Sequence, residues 1–189
     1  MNLKEILRYL GYGQNAPDEE TVELIKECYA ELMTVAVCKH TATKVKVEHK
    51  GDGELLLGDY RINSKKLEIN LENCKEAFIF AATLGSGTDM LMNKYVKLNI
   101  AKAAVVQACG AAMIEDYIDI CEKELLAGLL KEQGLRPRFS PGFGDFTLEY
   151  QMVFMEMLKL NKTLGIHLTD GGIMIPEKSV TAIIGITEG

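Results

Sequence analysis

The stretch of sequence best suited to chemistry runs from Arg138 to Asp145 and reads RFSPGFGD. A Pro-Gly pair followed two residues later by another glycine favours an irregular loop, which leaves several backbone N–H groups unpaired. A helix predicted to begin near Thr147 would add the partial positive charge of its first turn. Arg138 supplies a planar guanidinium that fits two oxygens of a carboxylate or phosphate. The stretch is typical of either an anion-binding loop or an ordinary tight turn.

Glu115 is the carboxylate with the most informative neighbours. It follows the small apolar run AAMI on a predicted long helix, and an unpaired buried charge is costly. Two interpretations stay open, because Glu115 could instead belong to a solvated stripe with Asp116, Asp119 and Glu122. Together with Arg138, Glu115 would present one anion and one cation. Such a pair suits the ammonium and carboxylate groups of an amino-acid ligand.

The sequence shows no pattern for a protein nucleophile or a metal site. Ser140 lies outside the G-x-S-x-G turn that exposes a catalytic serine. The five cysteines include no C-x-x-C pair, which predicts free thiols and no zinc site. The GSG run at 85–87 lacks the third glycine of a dinucleotide loop and the lysine of a P-loop. It is typical of a tight turn between a strand and a helix.

Charge and hydropathy restrict the partners of this protein. The chain has 189 residues, a formal net charge of −6 and 48% hydrophobic residues, as in an ordinary globular protein. An acidic chain lacks the basic patches that displace counterions from nucleic acid, and an anionic membrane does not attract it. No apolar run approaches the roughly 20 residues that span a bilayer, and the N-terminus has no apolar signal core. We therefore expect a cytoplasmic protein with no nucleic-acid or membrane partner.

The first third of the sequence predicts two helices followed by short strands. Leucine and isoleucine recur at helical spacing from residue 3, and Pro17 with the acidic residues after it marks a second helix start. The hydrophobic period then changes to the alternation of strands. The predicted elements are helices at 3–10 and 17–37, strands at 43–49, 54–57 and 67–71, and turns at 51–53 and 62–64.

The rest of the sequence contains the elements that must position Arg138 and Glu115. Residues 77–84 form a continuous apolar run, typical of a strand buried on both faces. Helices are predicted at 88–132 and 147–161, and strands at 173–175 and 180–186. Helices mixed with strands in this order indicate an α+β protein.

Several segments together resemble the reactivation domain of vitamin B12-dependent methionine synthase. They are AATLG at 81–85, the helix that carries Glu115, RFSPGF at 138–143, LGIHLT at 164–169 and M-x-P-x-x-S-V at 174–180. The resemblance spans about 65–189, and 1–64 is similar to the N-terminal helical and short-strand segment of small standalone members. It implies one compact unit over 1–189, with a single twisted, mostly antiparallel sheet packed against long helices.

The resemblance also implies a binding site for S-adenosylmethionine (AdoMet). In the family, the arginine of the R-x-x-x-G-[YF] loop holds the AdoMet carboxylate, and Arg138 matches it. Backbone groups of Ser140, Pro141 and Gly142 would lie along the adenosine. A glutamate on the preceding long helix contacts the polar end of the ligand, and Glu115 matches that residue.

The function implied by the resemblance is repair of an oxidised corrinoid. Phe143 and Gly144 would face the corrinoid, and Phe143 replaces a tyrosine of the larger synthases. Cobalt is the nucleophile in this chemistry, so no catalytic side chain is expected. Since the chain carries no cobalamin module, we expect it to serve a separate corrinoid-binding methionine synthase or methyltransferase that lacks its own reactivation domain. A flavodoxin- or ferredoxin-like protein would donate the electron. The alternative is a non-catalytic cap or partner of a corrinoid protein.

Overall fold

A computed structural model describes residues 1–13 and 15–188. The helices are α1 (Leu3–Tyr9), α2 (Glu19–Val35), α3 (Lys65–Asn70), α4 (Ser86–Leu98), α5 (Ile100–Ala127), α6 (Gln151–Met157) and α7 (Leu160–Thr163), with a 3-10 turn at Leu148–Tyr150. The strands are β1 (Lys39–Gly51), β2 (Glu54–Leu57), β3 (Tyr60–Asn63), β4 (Glu76–Thr83), β5 (Gly134–Leu135), β6 (His167–Leu168), β7 (Met174–Ile175) and β8 (Ser179–Thr187).

One six-stranded sheet organises the described chain. Its strand order is β3-β2-β1-β4-β8-β5, and every neighbouring pair is antiparallel. Strands β6 and β7 form a separate small hairpin. The predicted α+β class with a single, mostly antiparallel sheet is confirmed. Strands from 39–63 and strands from 76–187 lie in the same sheet.

The central strand β4 is buried on both faces, as its apolar run predicts. Phe80 and Ala82 face a core formed with α1, α2, α4 and α5. Ile79 and Ala81 point the other way, into a core that includes Phe146. This alternation follows from the two-residue period of a strand. The sheet therefore separates two hydrophobic layers, with α5 on one side.

The predicted strand at 67–71 is wrong, because residues 67–70 lie in helix α3 and Leu71 is its C-cap. Ser64 begins the helix, and its hydroxyl oxygen accepts a hydrogen bond from the backbone N–H of Leu67 at 3.0 Å. An N-cap of this kind satisfies a donor that the first helical turn leaves unpaired. Leu67 and Leu71 are buried together on one side of the helix. The predicted turn at 62–64 overlaps the end of strand β3.

The predicted long helix at 88–132 is divided into α4 and α5 and ends earlier. Asn99 has an extended backbone, with φ −161° and ψ 100°, and its side chain accepts from the N–H of Lys102 at 3.1 Å. It therefore begins a new helix instead of continuing the first. The predicted helix at 147–161 is likewise divided, and Lys159, with φ +51°, separates α6 from α7.

Candidate functional site

Arg138 is positioned by the edge of the sheet. The N–H of Arg136 donates to the carbonyl of Gly185 at 2.8 Å. Phe139 and Ile183 exchange two backbone hydrogen bonds, each of 2.9 Å. These bonds hold the chain on both sides of Arg138 against β8. The Arg138 side chain is only 25% exposed and lies against helix α5.

The guanidinium of Arg138 meets three carboxylates of α5. Its Nη2 lies 2.9 Å from Glu115, and its Nη1 lies 3.2 Å from Asp119 and 3.4 Å from Glu122. Residues four and seven positions apart share one face of a helix, which is why all three carboxylates reach one guanidinium. We call these four residues the Arg138 cluster. The structure thus brings the predicted Glu115 and Arg138 into direct contact.

Asp119 and Glu122 were expected only in the alternative of a solvated stripe. The structure divides that stripe, because Asp116 accepts a hydrogen bond from Asn2 at 3.1 Å while the other carboxylates meet Arg138. The i, i+4, i+7 spacing from Glu115 was the signal in the sequence that could have identified the pair.

The Arg138 cluster has three carboxylates and one guanidinium, so its net charge is negative. Burial raises the pKa of the Glu122 carboxyl, the nearby Arg138 lowers it, and Asp119 and Glu115 raise it further. Asp119 and Glu122 also line a groove of about 430 Å³ between the end of α5 and β5. A cationic group entering this groove would reduce the carboxylate repulsion.

The loop that follows Arg138 satisfies several of its own backbone donors. The N–H of Gly142 donates to Phe146 at 2.6 Å, Phe143 donates to Ser140 at 3.2 Å, and Phe146 donates to Phe143 at 3.0 Å. Gly142 and Gly144 have φ values of +97° and +61°, in the left-handed region that favours glycine. The expectation of several unpaired N–H groups is therefore wrong for these three. A 3-10 turn also replaces the predicted helix start near Thr147.

Asp145 ties this loop to the first turn of helix α3. Its carboxylate accepts hydrogen bonds from the hydroxyl of Ser64 at 2.5 Å and from the N–H groups of Lys65 at 2.8 Å and Lys66 at 3.3 Å. These bonds, led by that from Ser64, lower the pKa of the Asp145 carboxyl. Residues far apart in the sequence thereby fix the position of the loop.

Asp145→Asn is expected to lower the stability in a pH-dependent manner. Because the folded protein lowers the pKa of Asp145 below its ordinary value of 3.8, its contribution is present above that value and is lost as the pH falls through the folded-state pKa. Urea unfolding at several pH values should show a gap between wild type and variant that is largest near neutrality and shrinks in acid. Exposed Asp170 gives the control Asp170→Asn, and an equal gap for both variants would contradict the prediction.

Phe143 lies on the protein surface, where it is 65% exposed. Further along the chain, Leu148, Met152 and Ile173 are exposed apolar residues at or next to a groove, with exposed fractions of 46%, 54% and 62%. The groove, of about 330 Å³, lies between the segment 148–152 and the β6–β7 hairpin. Exposed apolar surface of this kind is typical of sites that contact another molecule.

Among the described residues, no group of three or more His, Cys, Asp or Glu side chains is arranged to hold a metal ion.

The architecture places this chain in the α+β class, with one six-stranded antiparallel sheet beside the small β6–β7 hairpin. Within that class, it is similar to a solved structure described as "Crystal Structure of the MetH Reactivation Domain bound to AdoHcy". The TM-score is 0.71 and the sequence identity 13%, over 96% of this chain and 73% of that chain. No protein-family model and no curated protein matches the chain. The predicted resemblance is confirmed at the level of the fold.

None of the helices in the described ranges 1–13 and 15–188 is both long and apolar enough to cross a membrane.

Proposed function

We propose that this protein binds AdoMet and supports the reductive remethylation of cob(II)alamin on a separate corrinoid protein. The observation that carries the proposal is the Arg138 cluster at the start of the 138–145 loop, in a fold shared with a domain described as bound to AdoHcy. AdoHcy is the product that AdoMet leaves after methyl transfer, so one site accommodates both molecules.

The Arg138 cluster offers a cation for the carboxylate and an anion for the ammonium group of the amino-acid part of AdoMet. Two of the five N–H donors of Arg138 make hydrogen bonds to Glu115 and Asp119. The remaining donors can bind the AdoMet carboxylate, and Glu115 can accept from its ammonium group. The excess of negative charge also favours a ligand with a positive sulfonium over a neutral one.

The residues after Arg138 would position the rest of the ligand. Backbone groups of Ser140, Pro141 and Gly142 would follow the adenosine, and Asp145 would keep the loop in place through its bonds to α3. Phe143 and Gly144 would lie on the side of the corrinoid. Phe143 has no hydroxyl, so it offers apolar contact where the family tyrosine could also donate a hydrogen bond.

The chemistry itself would come from the two cofactors. AdoMet would supply a methyl group to the corrinoid of the partner after a one-electron reduction, releasing AdoHcy. The chain's own residues would bind AdoMet, orient its methyl group and provide the surface on which the corrinoid protein docks. No proton transfer to a side chain of this protein is required.

The decisive experiment mixes the purified chain with a cob(II)alamin-loaded methionine synthase or methyltransferase that lacks its own reactivation domain. With AdoMet and reduced flavodoxin or ferredoxin present, the visible spectrum should change to that of methylcobalamin. Omission of the chain, of AdoMet or of the reductant should each prevent the change. A conversion that proceeds equally well without the chain would contradict the proposal.

A second candidate is a non-catalytic cap of a corrinoid protein. The observation that favours it is that Arg138 already has three carboxylate neighbours, which balance the charge of the guanidinium without a ligand. Titration calorimetry separates the candidates. Heat of AdoMet binding to the isolated chain supports reactivation, whereas binding of the corrinoid protein without any AdoMet binding supports the cap.

A further inference from the structure

Arg138 contacts more carboxylates than the amino-acid part of AdoMet requires. Glu115 supplies the anion for the ammonium group of the ligand, and it meets Nη2 of the guanidinium at 2.9 Å. Asp119 and Glu122 both approach the other terminal nitrogen, Nη1, at 3.2 and 3.4 Å. The proposed contacts with AdoMet therefore leave these two carboxylates without a role.

The geometry of α5 explains why both carboxylates meet at Nη1. Asp119 and Glu122 lie about 6 and 10.5 Å beyond Glu115 along the helix axis. Side chains on a helix tilt towards its N-terminus, so both carboxylates lean back towards Arg138. The backbone on each side of Arg138 is bonded to β8. A long, flexible side chain is thus held by the sheet at its base and by a helix at its charged end.

The contacts at Nη1 leave other donors of Arg138 available to a ligand. A guanidinium carries five N–H groups, two on each terminal nitrogen and one on Nε. Asp119 accepts from Nη1 and Glu115 accepts from Nη2, whereas Nε donates to no protein group in the part of the chain that the structure describes. The N–H of Nε and the second N–H of Nη2 can therefore bind a carboxylate while Nη1 stays bound to α5.

We propose that Asp119 and Glu122 are positioning residues, which hold Nη1 of Arg138 so that its Nε and Nη2 donors face the carboxylate of AdoMet. The inference rests on the proposed function, because its ligand is AdoMet. Neither carboxylate touches the ligand, and both act through Arg138. An arginine that is ordered before the ligand arrives loses less conformational freedom on binding, which improves the affinity by roughly two- to tenfold.

The burial of Glu122 favours a fixed contact with Arg138 over direct contact with a ligand. Its side chain is 28% exposed, against 61% for Asp119. Burial raises the pKa of the Glu122 carboxyl and Arg138 lowers it, so the guanidinium favours the charged form of this residue. A carboxylate that is largely removed from water is stabilised by a fixed cation. Glu122 and Arg138 therefore constrain each other before any ligand binds.

Two double variants separate the positioning of Arg138 from the charge of its neighbours. Asp119→Ala/Glu122→Ala removes both carboxylates, whereas Asp119→Asn/Glu122→Gln removes the same charge but keeps oxygens that accept from Nη1. Titration calorimetry should show AdoMet binding about three- to tenfold tighter to the amide pair than to the alanine pair. The control is Asp116→Ala, which removes a carboxylate of α5 that bonds to Asn2, and it should bind AdoMet like the wild type.

The side-chain NMR signals of Arg138 test the positioning without a ligand. In the wild type the protons on Nη1 and Nη2 should give separate signals, because hydrogen bonds hinder rotation about the Nε–Cζ bond. The alanine pair should average these signals, and the amide pair should keep them separate. Arg138→Lys assigns the signals by their disappearance. Arg61, whose side chain is 71% exposed, is the internal reference for a solvent-exposed guanidinium.

The outcomes that would overturn the inference differ in what else they affect. Equal AdoMet affinities of the amide and alanine pairs would show that the two carboxylates act through charge alone, and the proposed function would stand. Separate Nη signals that persist in the alanine pair would also remove the positioning role alone. A wild-type chain that binds no AdoMet would overturn the proposed function together with this role. Thermal melting must show that both pairs are folded.

Discussion

Arg138→Ala is expected to weaken AdoMet binding by about 2–3 kcal/mol, or roughly 30- to 150-fold. The variant loses the bidentate donor for the ligand carboxylate and leaves Glu115, Asp119 and Glu122 without their cation. These carboxylates then repel one another, and their uncompensated negative charge also repels the carboxylate of the ligand. Titration calorimetry with AdoMet measures the change directly.

Arg138→Lys should recover only part of this loss, because an ammonium cannot reproduce the planar fork of the guanidinium. Arg61→Ala is the control, since Arg61 lies on β3 and its side chain is 71% exposed. Thermal melting must show that the Arg138 variants are folded. An unchanged affinity in folded Arg138→Ala would remove this residue from the site.

Phe146→Ala is expected to lower the free energy of unfolding by about 3–5 kcal/mol. Phe146 is fully buried, stacks on Tyr150 with ring centroids 4.9 Å apart, and lies 6.1 Å from the ring of Phe139. The substitution leaves a cavity beneath the loop that follows Arg138, so AdoMet binding should weaken as well. Urea denaturation measures the loss of stability.

Phe143→Ala provides the matched control for this prediction. The two phenylalanines lie three residues apart in the same loop, but Phe143 is 65% exposed. Its removal should change the free energy of unfolding by no more than about 0.5 kcal/mol. Under the proposed function, in which this side chain faces the corrinoid, its removal should also reduce methyl transfer to the added corrinoid protein. Similar destabilisation by both variants would contradict the described packing of the loop.

The type and position of the main elements could be predicted from the sequence where hydrophobic period and length agree. The apolar run at 77–84 predicted β4 as a central strand because burial on both faces requires apolar residues at every position. The strand at 54–57 was predicted at its observed bounds. For α3 the prediction failed, because six residues do not show a helical period clearly. The Ser64 hydroxyl caps the first turn of α3 and also donates a hydrogen bond to Asp145, a residue far away in the sequence.

The sequence by itself determined which residues are suited to a ligand-binding site, because the charge of a side chain and the tendency of a segment to form a loop are set by the residues themselves. Arg138, Glu115 and the Pro-Gly loop could all be identified before any coordinates. Only the tertiary structure decided their arrangement, because β8 places Arg138 opposite one face of α5 and thereby adds Asp119 and Glu122. It also decided that three loop donors are satisfied internally. Contacts between residues on different elements of the chain depend on how the sheet and helices pack, and no local pattern encodes them.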